Sequence, residues 1–229
     1  EEALLFVLEQ GWGDPAGEAD IDTVLKREEE KVWEVIRDVA PDMKVFDVLS
    51  YPKLYHNLKA AVKEVCTEKE TPGIFYDDCD IPGREMLRII ENREFSRLPG
   101  NMGRVAEEAL DTLLHTRDGQ LCDVMIDKAA LEAVCEAGKR SGEPIIENYA
   151  DAMVAIADIK IAVRSRKTGK SGDFMRSAMA ECRSVNAEQL IRAALSGEEE
   201  IARYLEGTSY AGVADALRES PSAFERLCD

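Results

Sequence analysis

The chain has 229 residues, of which 45% are hydrophobic and 33% charged, so it is long and apolar enough to bury a core. Acidic residues outnumber basic ones by 46 to 29, and the net charge of -17 repels nucleic acid and anionic lipid at long range. Partners selected by charge are therefore expected to carry basic surfaces.

No targeting feature is recognisable in the sequence. No apolar run reaches the roughly eighteen residues that a membrane span needs, and the first residues lack the basic start and cleavage site of a signal peptide. Six cysteines at long, unequal spacings predict reduced thiols in a cytoplasmic protein. The sequence opens at Glu1 and runs at once into the apolar stretch 3–8, which we interpret as a piece of a longer chain.

Helical periodicity runs along the whole sequence and predicts an all-α fold. Helices are predicted at about residues 21–39, 84–92, 103–115, 127–138 and 210–218. Another is predicted to begin at Pro52, since proline is favoured at a first helical position. Its buried face would be formed by the apolar residues that recur behind it, namely Leu54, Leu58, Ala61, Val62 and Val65.

A longer helix is predicted from Pro144. Apolar residues follow one another there by fours and threes, which is the seam of a helix packed on its neighbours: Ile145, Tyr149, Ala152, Ile156, Ile159 and Val163. Asn186 and Gln189 have capping-box spacing and start a further helix that Gly197 ends. Breaks are predicted at residues 11–13, 72–73, 99–100 and 141–142 because glycine and proline cluster there.

Internal repetition is the most informative pattern in the sequence. Residues 57–63 (NLKAAVK) align with residues 158–164 (DIKIAVR) at a shift of 101, and residues 84–90 align with 188–194 at a shift of 104. At a shift of 107, Leu98 and Gly100 align with Leu205 and Gly207, and residues 8–11 look like an earlier copy of the same motif. A period of this length is too long for solenoid repeats of about 20 to 50 residues and predicts duplicated helical modules of roughly 100 residues.

The modules are predicted to divide the chain into three parts. The first covers residues 1–97 and is truncated at its N-terminus, the second covers residues 98–204, and residues 205–229 begin a third. The repeat-motif positions are Asn57, Leu58, Lys59 and their counterparts Asp158, Ile159, Lys160.

At these motifs the chain resembles the stalk protein known as the C-type subunit of prokaryotic V-type (A/V-type) ATP synthases, whose eukaryotic relative is the d-type subunit. The resemblance rests on residues 55–59, 157–160, 126–128 and 205–210, and it extends over essentially the whole chain. It implies a three-module, funnel-shaped, all-α socket in the central stalk, which binds no nucleotide and has no active site. The implied partners are the rotor stalk and the membrane proteolipid ring, and membrane contact is implied only through those proteins.

For each possible chemical site, a structural interpretation of the same residues is better supported than a chemical one. Gly169, Lys170 and Ser171 resemble the end of a phosphate-binding loop, but Arg164 occupies the position of its first glycine and a helix precedes it. Basic residues near the C-terminus of a helix are stabilised by the helix dipole, which explains the run Arg164, Arg166, Lys167 and Lys170. The same four residues are also a candidate partner interface.

Two further features leave alternatives open. Asp77, Asp78 and Asp80 could suggest a metal-dependent helical enzyme, but the calcium-loop spacing is missing, and neither His56 nor His115 has the Glu-x-x-His spacing of di-iron bundles. Asp158 interrupts an apolar helix and is either a buried hydrogen-bonding residue, which we favour, or part of an exposed groove. A generic all-α adaptor remains the main alternative function, and no cofactor is predicted.

Overall fold

A computed structural model describes residues 21–229 of the chain. Its contacts divide this part between Lys44 and Val45 into two compact units. The apolar stretch 3–8, the predicted break at residues 11–13 and the early repeat copy at residues 8–11 lie outside the described residues.

The first unit contains one α-helix among its described residues, α1 (Ile21–Val39), which has the bounds predicted from the sequence. A short 3-10 turn, Met43–Phe46, follows it. Val24 is fully buried, whereas Ile21, Leu25, Val32, Val35 and Val39 are exposed.

Residues 45–229 form ten α-helices and one further 3-10 turn, Phe95–Arg97. The helices are α2 (Asp47–Thr67), α3 (Gly83–Glu91), α4 (Met102–Thr116), α5 (Gly119–Ser141), α6 (Pro144–Thr168), α7 (Gly172–Ala178), α8 (Ala187–Ser196), α9 (Glu198–Glu206), α10 (Ala211–Glu219) and α11 (Pro221–Cys228). No strand occurs in residues 21–229, so the predicted all-α class is confirmed there.

Polar residues fix the beginnings of several helices. A side-chain oxygen at the residue before the helix accepts a backbone N–H of the first turn in α5, α7, α8 and α11, from Asp118, Ser171, Asn186 and Ser220 respectively. At α8 the capping box is only half formed. Asn186 accepts the Gln189 N–H at 2.9 Å, but the Asn186 N–H donates to the hydroxyl of Tyr204 at 2.8 Å.

The predicted start of α2 at Pro52 is wrong, because the helix begins at Asp47. Proline has no N–H to donate to the carbonyl of Val48, so the first turn loses one backbone hydrogen bond. Val48 is nevertheless buried against α5 and α6, where it contacts the cluster that contains Val134 and Ala150. Burial of this side chain explains why the helix extends one turn before the proline.

Two hydrophobic cores organise the second unit. The first lies among α2, α3, α4 and α5, and its large, fully buried side chains are Leu54, Leu58, Met86, Ile89, Ile90, Met102, Leu110 and Ile126. The second lies among α6 to α11 and includes Ile159, Met175, Leu190 and Phe224. The predicted module boundary at residues 97 and 98 falls inside the first core, and the division into three modules stays a prediction.

The pair α5 and α6 connects the two cores. Residues 142–143 join the two helices, which pack against each other. Two smaller clusters lie along this contact, one around Val134 and Ala150 and one around Cys135 and Val154. The helices approach closely at Gly138, where an added Cβ would lie 2.5 Å from the Cβ of Ala150.

The close approach at Gly138 is testable by substitution. Gly138→Ala should lower the free energy of unfolding by about 1 to 3 kcal/mol through overpacking, although alanine favours helices by about 1 kcal/mol over glycine. Gly119→Ala on the same helix is the control, because no atom lies within 4 Å of the added carbon. Urea denaturation of both variants measures the difference. If Gly138→Ala were as stable as wild type or more stable, the described helix contact would be contradicted.

Candidate interaction site and repeat motif

Asn57 is a fully buried polar side chain on α2, and it holds the irregular segment that follows this helix. Its Oδ1 accepts the backbone N–H of Tyr76 at 2.9 Å, and its Nδ2 donates to the carbonyls of Tyr76 and Ile81 at 2.7 and 3.3 Å. His56 adds a contact of 2.8 Å between Nε2 and the carbonyl of Ile74. Residues 68–82, which contain no helix, are therefore anchored to α2 through side chains.

Asp158 occupies the corresponding position on α6 and is also fully buried. Its Oδ1 accepts the backbone N–H of Ala180 at 3.2 Å, in the segment between α7 and α8. Its Oδ2 has no hydrogen-bond partner among the described residues. Burial raises the pKa of the Asp158 carboxyl from 3.8 to about 7, against the opposing effects of the Ala180 N–H and the Lys128 ammonium.

The two buried residues accept backbone amides at matching places in the sequence. Tyr76 and Ala180 are 104 positions apart, which equals the shift that aligns residues 84–90 with 188–194. In the first case a side chain on α2 holds the segment that leads into α3, and in the second a side chain on α6 holds the segment that leads into α8. This correspondence is what a duplicated module predicts, and it places Asp158 in a structural contact instead of an exposed groove.

The other repeat-motif positions also have matching environments. Leu58 and Ile159 are fully buried in the first and second cores respectively. Lys59 forms an ion pair with Asp127 of α5 at 2.6 Å, and Lys160 forms one with Asp229 after α11. The aliphatic residue thus packs the core, while the lysine joins its helix to a carboxylate elsewhere in the same unit.

The basic end of α6 is engaged mainly within the chain. Arg164 pairs with Glu225 at 3.1 Å, and Lys167 approaches Glu198 at 3.7 Å. Lys170 donates to the Gln120 side chain at 2.6 Å and lies 4.9 Å from the centre of the Phe174 ring. Arg166 is exposed and has no ion-pair partner in residues 21–229. Of the four predicted interface residues, Arg166 presents its charge most freely.

The loop that resembles a phosphate-binding motif has structural roles. Gly169 ends α6 with φ of 67°, a conformation that glycine adopts without strain. Ser171 accepts the N–H of Phe174 at 3.1 Å and so caps α7. The hydroxyl and the glycine therefore serve the ends of two helices.

The acidic segment 77–80 also contacts its own unit. Asp78 forms an ion pair with Lys53 of α2, and Cys79 lies within hydrogen-bonding distance of the Ile81 carbonyl, at 3.3 Å. In the described part of the chain, no three His, Cys, Asp or Glu side chains are arranged to hold a metal ion. No helix in residues 21–229 has the length and apolarity to cross a bilayer.

The sequence patterns did not identify some residues that have structural roles. Asp151 is buried two helical turns before Asp158, and its Oδ1 accepts the N–H of Arg183 at 2.6 Å. His56, to which the sequence did not assign a structural role, is half-buried against Tyr76. The seven-residue spacing of Asp151 and Asp158 on one helix face is the sequence signal that could have identified this pair of backbone contacts.

The role of Asn57 predicts a large effect for a small change. Asn57→Ala should lower the free energy of unfolding by about 1 to 3 kcal/mol, because it leaves partly buried backbone groups of residues 76 and 81 without their side-chain partner. Asn92→Ala, at an exposed asparagine after α3, should change it by less than about 0.5 kcal/mol. Chemical denaturation compares the two. A similar, small effect for both variants would rule out the anchoring role of Asn57.

The raised pKa of Asp158 predicts a component of stability that depends on pH. The folded-state pKa exceeds the unfolded value, so this carboxyl favours folding most below about pH 4, and its contribution declines up to about pH 7. Asp158→Asn keeps the acceptor for the Ala180 N–H but cannot ionise. As the pH rises across this range, the free energy of unfolding of Asp158→Asn should increase relative to that of wild type by up to roughly 1.4 kcal/mol per pH unit. Denaturation at a series of pH values measures the difference, with Asp215→Asn as an exposed control; parallel curves for wild type and Asp158→Asn would exclude the effect.

Comparison with known proteins agrees with the resemblance seen in the motifs. The model of the family described as ATP synthase (C/AC39) subunit matches residues 2–229. No curated protein and no solved structure matches the chain. Because the family match covers nearly the whole chain, the predicted relationship is confirmed: the chain belongs to the ATP synthase (C/AC39) subunit family of V-type ATP synthases.

Proposed function

We propose that this chain is a non-catalytic socket of the central stalk, which couples the rotor stalk to the membrane proteolipid ring of a rotary V-type ATPase. The observation that carries the proposal is the family match over residues 2–229. The proposal includes the identity of these partners, their arrangement around the socket, and a role of the complex in transporting protons or sodium ions. Contact with the membrane would occur through the partner proteins.

The packing of the second unit supports a mechanical role. Its two cores are connected by α5 and α6, helices of 23 and 25 residues, each of which is about 35 Å long at a rise of 1.5 Å per residue. A load on one core would reach the other through this helix pair. Close-packed interiors have low compressibility, so such a connection would transmit torque with little deformation.

Charge supports a protein partner over a nucleic acid or an anionic lipid surface. The chain carries a net charge of -17, and three of the four predicted interface cations are held by groups of the chain itself. Electrostatic attraction would therefore favour basic partner surfaces, and would act mainly on the rate and specificity of assembly.

The proposal is tested by purifying the tagged full-length protein from its native cells and identifying the associated proteins by mass spectrometry. We expect the rotor stalk and proteolipid ring proteins to be recovered. A preparation that lacks every other ATPase component would contradict the proposal and favour a generic adaptor.

The same purification tests the basic end of α6. Neutralising Arg164, Arg166, Lys167 and Lys170 together should weaken recovery of the stalk or the ring, but it also removes contacts within the chain. Arg166→Gln separates the two effects, because this side chain has no ion pair among described residues. Arg192→Gln on α8, likewise exposed and outside the described ion pairs, is the matched control. Unchanged recovery of both neighbours with all the variants would exclude the patch as an interface.

A further inference from the structure

A cavity of about 290 Å³ lies among α2, the start of α4 and α5. Tyr51 and Tyr55 of α2 line one side, and Glu132 and Glu136 of α5 line another. The two tyrosine rings are 6.4 Å apart in an edge-to-face arrangement. Both glutamates are exposed, so the cavity has access to solvent along α5. Its volume lies at the lower end of the range of about 300 to 1,000 Å³ that is usual for small-molecule sites.

The carboxylates of this cavity have no cationic partner within the described chain. Glu132 and Glu136 are four residues apart on α5 and form no ion pair with any residue in 21–229. Like charges at this spacing destabilise a helix by a few tenths of a kilocalorie per mole in isolation. The pair thus concentrates negative charge at the cavity without an internal counterion.

The hydroxyl of Tyr55 adds a second, independent observation. Tyr55 is 5% exposed and lines the cavity, yet its hydroxyl has no hydrogen-bond partner among the described residues. Burial, with smaller effects of Tyr51 and Glu132, raises the pKa of Tyr55 to about 12, so the group stays protonated at neutral pH. The oxygen is accessible from the cavity, so it can form a hydrogen bond with an incoming polar group.

The one cation that lines the cavity is already balanced. Arg140 contacts the Asp47 carboxylate at 3.3 Å and the Tyr51 hydroxyl at 3.1 Å. Asp47 neutralises its charge, so the excess negative charge of Glu132 and Glu136 remains. The start of α4 contributes a partial positive charge on the opposite side, which would orient an incoming cation toward α5.

We propose that this cavity binds the guanidinium group of an arginine from a partner protein. A guanidinium has five N–H donors in a fixed plane, which suits two carboxylates and a tyrosine oxygen around one space. Its flat face can also stack on Tyr51 or Tyr55. The net charge of -17 favours approach by a basic segment. The identity of the partner as an ATPase component rests on the proposed function, but the chemistry of the cavity does not.

The chemistry is tested by titrating the full-length protein with N-acetyl-L-arginine amide and following amide and aromatic resonances by NMR. We expect saturable shifts at Tyr51, Tyr55 and Ala133, and binding weaker by at least about tenfold for the neutral citrulline analogue. N-acetyl-lysine amide should bind more weakly because an ammonium lacks the planar set of donors. Equal binding of the citrulline or lysine analogue, or preference for N-acetyl-glutamate amide, would overturn the proposal.

Matched variants separate the cavity from the general acidity of the protein. Glu132→Gln with Glu136→Gln should weaken arginine amide binding by at least about tenfold. Asp215→Asn with Glu219→Gln removes two exposed charges at the same spacing on α10, and it should leave binding unchanged. Tyr55→Phe should weaken binding severalfold while the protein remains folded. Equal losses in the two double variants would show attraction by net charge alone and would refute the site.

Docking in the assembly is tested by placing the photo-crosslinker p-benzoylphenylalanine at Ala133, inside the cavity, in the full-length protein expressed in its native cells. We expect a crosslink to an arginine-containing peptide of another ATPase component that is lost with Glu132→Gln and Glu136→Gln. A crosslink that survives both changes, or no crosslink in an intact assembly, overturns the docking proposal. If no ATPase component is recovered with wild type, the proposed function fails, whereas the NMR titration still decides the chemistry of the cavity.

Discussion

Buried polar side chains on α2 and α6 each hold an irregular segment later in the chain, and the packing of the second unit depends on this constraint. Asn57 uses both its amide donor and its carbonyl oxygen to hold residues 76 and 81, while Asp158 uses one carboxylate oxygen to hold residue 180. Backbone groups that lie below the surface need such partners, because no strand or helix supplies them in these segments. Once the segments are fixed, α3 and α8 can each return an apolar face to its core.

The two versions of this contact differ in chemistry. An amide at Asn57 can donate and accept, and its donors reach two carbonyls. A carboxylate at Asp158 can only accept when ionised, and its second oxygen has no described partner, so burial favours the protonated form. Similar contacts to the backbone therefore have different electrostatic consequences, and Asp158 gives its contact a sensitivity to pH that Asn57 cannot give.

The proposed mechanical coupling and the proposed partner contact would involve different parts of the second unit. The α5–α6 pair connects the cores through small residues such as Gly138 and Ala150, which allow the helices to approach closely. The exposed face of α5 instead carries Glu132 and Glu136 beside the cavity. A single long helix can serve both purposes because residues on its opposite faces are independent in packing. The proposed arginine contact would thus join a partner to the helix pair that connects the cores.

Apolar periodicity, caps and glycine breaks act over a few residues, so the all-α class and most helix positions could be predicted without a fold. The family was indicated by the resemblance of short motifs. The repeat also indicated that positions 57 and 158 correspond. The start of α2 before Pro52 could not be predicted in this way, since it depends on the burial of Val48 by α5 and α6. The same holds for the three cations at the end of α6, which contact groups from other helices, and for Tyr55, which meets Glu132 across a cavity. These features join residues far apart in the chain, and their proximity is set by how helices pack rather than by any local pattern.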